Sequence, residues 1–337
     1  MSISIIMPCH NSASTIREAI ESVIWQTNEH WELIIINDGS TDNTPDIIEE
    51  FASRDNRISI INRSEKLGVS SARNMGIESS HSKYIGFLDS DDTLERNFVE
   101  RMLGTVQKYD CDVVLCQYKV LNERDHDIKL IDNKLPKDVL MDNNRVLRSF
   151  FNSTPGIGAL WNKIYSRDYI ERKTPLRFNP GRRRAEDWEF NLMLFQKKGS
   201  LVAICDFLYN YNRNVEISAM KIFDENDLPL MFRSIDLLLD CNDRSGLGYS
   251  SEDILKNSSF PIFEHLFQSV KTTSYLTYKQ KLEDRRFKEL LEKVDLSILP
   301  ISYKLPAYLI KLNLLKIAFL LSKALGRLTL TLPYKNK

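Results

Sequence analysis

Residues 84–92 read Tyr-Ile-Gly-Phe-Leu-Asp-Ser-Asp-Asp, an apolar run that stops at three carboxylates, Asp89, Asp91 and Asp92. Carboxylates this close repel one another and raise each other's pKa unless a cation joins them. At the mouth of a buried strand they suit a divalent ion held against a phosphorylated ligand. An EF-hand competes, with Asp89 and Asp91 at its first and third positions and Glu100 at its twelfth. That loop needs glycine at its sixth position, where this chain has Leu94. A helix N-cap would account for one aspartate, but three acidic residues exceed what one cap needs.

Three other segments carry polar residues that could act on a ligand. Asp38-Gly-Ser-Thr-Asp42 is either a capped turn or a recognition loop. Gly68-Val-Ser-Ser-Ala-Arg73-Asn74 sets an arginine within the first turns of a helix, suited to a phosphate or to a surface ion pair. Gly181-Arg-Arg-Arg-Ala-Glu186-Asp187-Trp188 places three arginines before an acidic pair that opens a helix. Arginines lower a carboxylate pKa and burial raises it, and the sequence does not decide between them. There is no Walker motif, and no G-x-G-x-x-G follows the first strand, which disfavours a nicotinamide dinucleotide fold.

These segments need a frame, and the first 120 residues supply a regular one. Apolar runs at Ile3–Met7, Leu33–Ile36, Ile58–Ile61, Tyr84–Leu88 and Val113–Leu115 read as strands. Between them lie helices: one opened by a capping box at Thr15–Glu18, one by Thr44-Pro45, then Ser70–Ile77 and Phe98–Tyr109. The alternation predicts a mainly parallel sheet covered on both faces, a three-layer α/β domain. Ligands bind beyond the carboxyl ends of such strands. Pro8-Cys-His-Asn11, Asn37-Asp-Gly-Ser40 and Asp89-Ser-Asp-Asp92 all fall there. Asn122–Asp142 reads as a surface excursion, Leu160–Tyr165 as a strand or edge, Glu186–Lys198 as a helix, and Leu201–Ile204 and Leu208–Tyr211 as extended. From about Asp224 the pattern is helical, with candidates at Leu230–Leu239, Phe260–Lys271 and Leu282–Val294.

The bulk numbers bound the class. The 337 residues carry zero formal net charge, so a whole-protein nucleic-acid footprint is absent. The charge is unevenly placed. Lys304, Lys311, Lys316, Lys323, Arg327, Lys335 and Lys337 follow Pro300 with no acidic residue among them. At about 100° per residue, Lys316, Lys323 and Arg327 fall within roughly 40° on a helix, with Lys311 off that stripe. A packed terminal helix with snorkelling lysines and a helix lying on an anionic membrane face both fit. Five cysteines form no C-x-x-C pair, and Cys111, Cys116 and Cys205 lie in or beside apolar runs as reduced core thiols do. The N-terminus lacks the features of a signal peptide and no apolar run reaches 18 residues. The expectation is a cytoplasmic protein, peripheral at the inner face of the membrane.

In order and rough spacing, Pro8-x-x-Asn11, Asp38-Gly-Ser-Thr-Asp42, Ala72-Arg-Asn-x-Gly76, Asp89-x-Asp91 and Glu186-Asp187 resemble family-2 glycosyltransferases of the GT-A fold. The resemblance is strong to about residue 115, weaker to about 218 and absent beyond. It implies a GT-A domain over 1–223, with a donor half at 1–118 and an acceptor half at 119–223. A helical accessory region at 224–298 and a basic amphipathic tail at 299–337 would follow.

The resemblance also implies roles. Asp38 would accept the N3–H of uracil, and Pro8, His10 and Asn11 would line the base pocket, with His10 where many relatives have tyrosine. Arg73 would steady the donor near its ribose and phosphates, Asp89 would contact ribose or donor sugar, and Asp91 would ligate Mn²⁺ or Mg²⁺. Asp187 would be the general base, with Glu186 contacting the acceptor or holding Asp187. Trp161 and Arg184 would meet the acceptor, and Arg213 with Ser218 the donor phosphates. Asp92 is left without a role beyond capping the next helix.

The expected activity is a metal-dependent, inverting, non-processive transfer from a UDP-sugar to a saccharide hydroxyl, with a lipid-diphosphate-linked acceptor, in surface polysaccharide synthesis. The Q-x-x-R-W signature of processive synthases is missing. A sugar nucleotidyltransferase would show a glycine-rich Arg/Lys loop after the first strand, where this chain has Cys9-His-Asn-Ser12. A catalytically inactive sugar-nucleotide-binding or scaffold subunit would not need Asp91 and Asp187.

Overall fold

Every residue of β1 (Ile3–Cys9) is buried, which requires cover on both faces of the sheet rather than one. In the computed structural model the described residues are 1–122, 127–152, 154–180, 182, 184–212, 227–258, 262–263, 266–267, 274–293, 296 and 301–328. Neighbouring β2 (Trp31–Asp38) is buried except at Glu32 and β4 (Tyr84–Phe87) throughout, and β3 (Ile58–Arg63) lies outside β2. One face of the sheet carries Ile3, Ile5, Met7, Leu33 and Ile35. They form one core with α1 (Ile16–Ile24), α2 (Thr44–Ala52) and α4 (Phe98–Tyr109). α1 inserts Ile16, Ala19, Ile20 and Val23, an i, i+3, i+4, i+7 stripe. The opposite face receives α3 (Val69–Ser79) so closely that a Cβ on Gly76 would stand 2.3 Å from the Ile6 side chain.

The expected three-layer α/β arrangement is therefore present, with some differences in detail. Thr15 precedes α1 but its side chain makes no cap hydrogen bond, so the capping box is not formed. α2 begins one residue earlier than expected, with Asn43 as its N-cap.

The second half of the sheet departs further from the sequence reading. β9 (Lys163–Ser166) is a central strand rather than an edge, antiparallel between β4 and β6 (Val113–Asn122). The excursion after Asn122 contains β7 (Asp127–Ile131), paired with β6, and β8 (Leu140–Asp142). The two expected extended pieces merge into one strand, β10 (Ser200–Asn212), parallel to β6 with irregular register between Ala203 and Tyr209. β5 (Thr93–Leu94) pairs with β10, antiparallel. Two further helices, α5 (Asn143–Phe151) and α6 (Arg167–Glu171), precede α7 (Glu186–Phe195). Cys205 is exposed, unlike the other four thiols, because it falls where the register of β10 slips.

The chain divides into two compact units, Met1–Ile217 and Ser218–Lys337. In the second, the described residues form helices: α8 (Asp227–Ser245), α9 (Ser251–Ser258), α10 (Tyr275–Glu283), α11 (Arg285–Lys293), α12 (Ile301–Lys311) and α13 (Leu315–Leu328). Residues 262–263 and 266–267 are also helical. The expected helix over Leu282–Val294 is interrupted at Asp284. Ala307, Ile310, Ala318 and Phe319, from the segment expected as a tail, lie in this unit's own core with Phe263, Leu266 and Phe287.

Candidate active site

The register places the carboxyl ends of the parallel strands along one edge. Cys9 pairs with Asn37, and Ile6 with Phe87. The loops that leave these ends are tied to one another. The Asn11 backbone takes a left-handed φ of 53°, a conformation asparagine tolerates, and its Oδ1 accepts from Thr41 N at 2.7 Å. Pro8 is buried within β1, opposite Ile36. His10 Nδ1 donates to the Asp38 carbonyl at 2.8 Å, and the Ser12 and Ser90 hydroxyls meet at 2.8 Å. Asp42 accepts from Ala13 N and Thr44 N, anchoring the loop after β1 to the start of α2.

Asp38 has a task the sequence did not show. Its carboxylate is 3% exposed and accepts from Leu67 N at 2.9 Å and Gly68 N at 2.7 Å, fixing the entry to α3. Arg63 Nε lies 3.6 Å from the Oδ1 that Leu67 N also reaches, which leaves Oδ2 the less engaged oxygen.

At the carboxylate junction the three aspartates separate in function. Asp89 pairs with Arg73 Nη2 at 3.0 Å. Asp91 has its carboxyl pushed up to about 6, by burial and then by Asp89. Asp92 caps no helix, since α4 takes Asn97 as its N-cap. It is buried and accepts from Tyr209 OH at 2.6 Å and Asn212 N at 2.7 Å. Burial first, then Asp89 and Asp91, drive the Asp92 carboxyl up to about 9. Asp92 therefore ties the end of β10 to the junction.

The acidic pair at the start of α7 is brought to the same place. Ala185, the N-cap, has φ 53°, and the turn delivers Glu186 to Arg73 Nη1 at 2.8 Å. Arg73 is thus a buried bridge between Asp89 and Glu186, rather than an arginine held free for phosphate. Among the described residues its Nε has no hydrogen-bond partner. Asp187, half-buried beside Glu186, is pushed up to about 7 by burial and by Glu186, with Arg73 working the other way. The site therefore holds a carboxyl poised to exchange a proton near neutrality.

Trp161 is half-buried, stacked on Tyr209 with centroids 4.5 Å apart and in edge contact with Tyr118. This packing supports the end of β10 and leaves only part of the indole for a ligand. Arg184 is half-buried, and its carbonyl accepts from Arg182 Nε. Arg182 is deeply buried and paired with Glu189 at 2.6 Å, so it braces α7 instead of facing an acceptor. Arg213 and Ser218 lie outside the described residues. Among the described residues no three His, Cys, Asp or Glu side chains are grouped to hold a metal. Asn191 went unnoticed in the sequence, and Lys163 was read only as part of the Leu160–Tyr165 run, without a role of its own. The one available signal was a lysine leading into the apolar Ile164-Tyr165.

Comparison with known proteins bears on the family and the fold. Residues 4–173 match the model of Glycosyl transferase family 2. The uncharacterized glycosyltransferase EpsJ of Bacillus subtilis (strain 168) is 33% identical over 237 residues, 66% of each chain. The Escherichia coli enzyme named UDP-Glc:alpha-D-GlcNAc-diphosphoundecaprenol beta-1,3-glucosyltransferase WfgD is 35% identical over 120 residues, 36% of this chain and 47% of its own length. The chain thus spans about half to two-thirds of these relatives. TarS 1–349 of S. aureus, solved in complex with UDP-GlcNAc, superposes with a TM-score of 0.67 at 15% identity, over 99% of this chain and 93% of that one. At that identity the likeness establishes the fold, which is GT-A-like.

Proposed function

The chain belongs to glycosyl transferase family 2, and from that premise we propose that it is an inverting transferase moving a sugar from a UDP-sugar to a hydroxyl of a saccharide acceptor. The observation that carries the reading is the Asp89–Arg73–Glu186 bridge beside Asp187. It joins the strand end suited to a donor with a carboxyl whose pKa suits a general base. Asp187 takes the acceptor hydroxyl's proton as that oxygen attacks the anomeric carbon from the side opposite the leaving nucleotide. One bond forms as the other breaks, so the configuration inverts without a covalent sugar–enzyme intermediate.

Pro8, His10, Asn11 and Asp38 line the base pocket in this reading, and Arg73 steadies the donor side through its bridge to Asp89. The UDP-GlcNAc complex of TarS and the UDP-Glc in the name of WfgD support the uridine nucleotide. The residues present fit a divalent cation. Asp91 is a shielded carboxyl with no ion pair among the described residues, and Mg²⁺-type sites take one or two carboxylates and fill the rest with phosphates and water. Mn²⁺ or Mg²⁺ held by Asp91 would offset the charge that grows on the departing nucleoside diphosphate.

The acceptor in this reading is a lipid-diphosphate-linked saccharide, consistent with the acceptor in the name of WfgD, with Trp161 and Arg184 on its side of the site. The helical unit offers a matching surface. Leu305, Tyr308 and Leu312 are exposed at i, i+3, i+7, and Leu314, Ile317 and Leu320 are exposed beyond the turn. Lys304, Lys311, Lys316 and Lys323 flank them and no acid follows Pro300, the composition of an interfacial helix on anionic lipid. No described helix is long and apolar enough to cross a membrane. Because this segment contributes to the core of its unit, the membrane test uses Leu312→Glu with Ile317→Glu rather than truncation. The full chain should sediment with anionic vesicles and the double variant should not. Equal sedimentation would remove the membrane from the reading.

The decisive experiment is a screen of nucleotide sugars for turnover with Mn²⁺ or Mg²⁺. Asp187→Asn should abolish transfer and leave donor binding intact. Binding and turnover of no nucleotide sugar would overturn the proposal.

A further inference from the structure

Lys163 is fully buried at the start of β9. Its ammonium donates to the carbonyls of Gly156 at 2.7 Å and Ala159 at 2.5 Å, and to Asn162 Oδ1 at 2.8 Å. Three acceptors exhaust its three N–H groups. All of them belong to residues 156–162, so the ammonium gathers that segment around itself. Asn191 of α7 grips the same segment from the other side. Its Nδ2 reaches Gly158 O at 2.9 Å and Ala159 O at 3.1 Å, and also Asp187 O at 3.1 Å. Asn191 Oδ1 accepts from Tyr165 OH at 2.9 Å, which fixes the amide's orientation. Gly158 lies so near Trp188 that a Cβ there would stand 2.6 Å from the ring. The segment ordered by Lys163 is thus the seat of the first turn of α7.

We propose that Lys163 is a positioning residue for Asp187, acting through segment 156–162 and Asn191 and placing a buried positive charge on the Asp187 side of β9. The proposal rests on the reading of Asp187 as the base. A neutral side chain at 163 would take its donor from the part-buried Gly156 carbonyl, leave Ala159 O to Asn191, and release the wall against which Asp187 is aimed. The charge matters separately. Burial pushes the Lys163 ammonium down to about 7, while Asp187 of α7 favours its charged form; Cys116 of β6 lies beside it as a neutral thiol, pushed up to about 12 by burial. By reciprocity the ammonium favours the Asp187 carboxylate, as Arg73 of α3 also does, against Glu186 and Asp89. Tyr165 of β9 also faces Asp187.

The test measures kcat against pH, with donor KM, on the full-length chain. In Lys163→Met, kcat should fall about 100-fold, the cost of a misplaced reacting group, with donor KM unchanged. Its acidic limb should move up by roughly half a pH unit or more as a favourable charge is lost. Asn191→Ala keeps the ammonium and breaks the mechanical link, so kcat should fall while the limb stays in place. Either a folded Lys163→Met with the wild-type limb, or Asn191→Ala with wild-type kcat, would overturn the proposal. If Lys163→Met does not fold, Asn191→Ala decides alone. Transfer that survives Asp187→Asn would instead discard the assignment of the base.

Discussion

Arg73 holds Glu186 through a 2.8 Å charged hydrogen bond although 113 positions separate them in the chain. Its other terminal nitrogen holds Asp89 at 3.0 Å. Within the α/β unit this single guanidinium fixes the spacing between the carboxylates of β4's end and those of α7.

Replacing Arg73 by methionine should therefore damage stability and catalysis together. Breaking a buried ion pair leaves uncompensated charge at about 3–5 kcal/mol, and solvent at Asp89, 28% exposed, brings the expected loss to the low end, roughly 3 kcal/mol. Arg73→Lys offers one point charge where a two-armed fork is needed, so it should recover part of the stability and little of the transfer. Urea unfolding alongside initial rates separates these effects. Wild-type stability in Arg73→Met would show that the bridge is not what holds α7 in place.

The pH dependence of transfer follows from Asp187. The base acts as a carboxylate, and its carboxyl is raised to about 7 by burial and by Glu186. Transfer should therefore rise about tenfold per pH unit below 7 and level off above it. Glu186→Gln removes the like charge, so its acidic limb should lie at lower pH. A limb that stays near 7 in that variant would assign the shift to burial alone.

What the sequence disclosed and what it hid divide along a physical line. Ile3–Met7 and Tyr84–Leu88 were legible because strands covered on both faces need continuous apolar runs, and their ends were legible because polar loops must follow. β9 was legible as a strand but not as a central one, because Lys163, a charged residue, is buried inside the sheet. The carboxylates were recognisable by spacing, but their division of labour was not. Asp92 differs from its neighbours only through Tyr209, 117 positions away. Asp187 differs from an ordinary cap only through its burial and its neighbours. Long-range partners of this kind leave no local pattern in the chain.

Removal of metal should act through Asp91. Chelation by EDTA should stop turnover, and Mn²⁺ or Mg²⁺ should restore it. Asp91→Asn should lose affinity for UDP in the presence of the ion and show little difference from wild type in its absence. Calorimetric titration with UDP checks both conditions. Equal affinity with and without the ion in the wild type would remove the metal from donor binding.

Asp92 sets a different pH dependence, that of stability. Its carboxyl is raised by burial, then by Asp89 and Asp91, to about 9, so the folded chain keeps a proton that the unfolded chain releases near 4. Between these values the native state binds more protons than the unfolded one, and stability must fall as pH rises. The contribution is complete below about 4 and is lost progressively towards 9. Asp92→Asn carries no titrating group. Its amide oxygen can still accept from Asn212 N, and its NH₂ can donate to the Tyr209 hydroxyl, which accepts as readily as it donates. Thermal unfolding in EDTA from pH 5 to 9 should thus show a declining Tm for the wild type and a flatter profile for Asp92→Asn, the two curves diverging towards alkaline pH. Parallel profiles would mean that the Asp92 carboxyl is already ionised throughout this range, with Tyr209 OH and Asn212 N stabilising it as an anion.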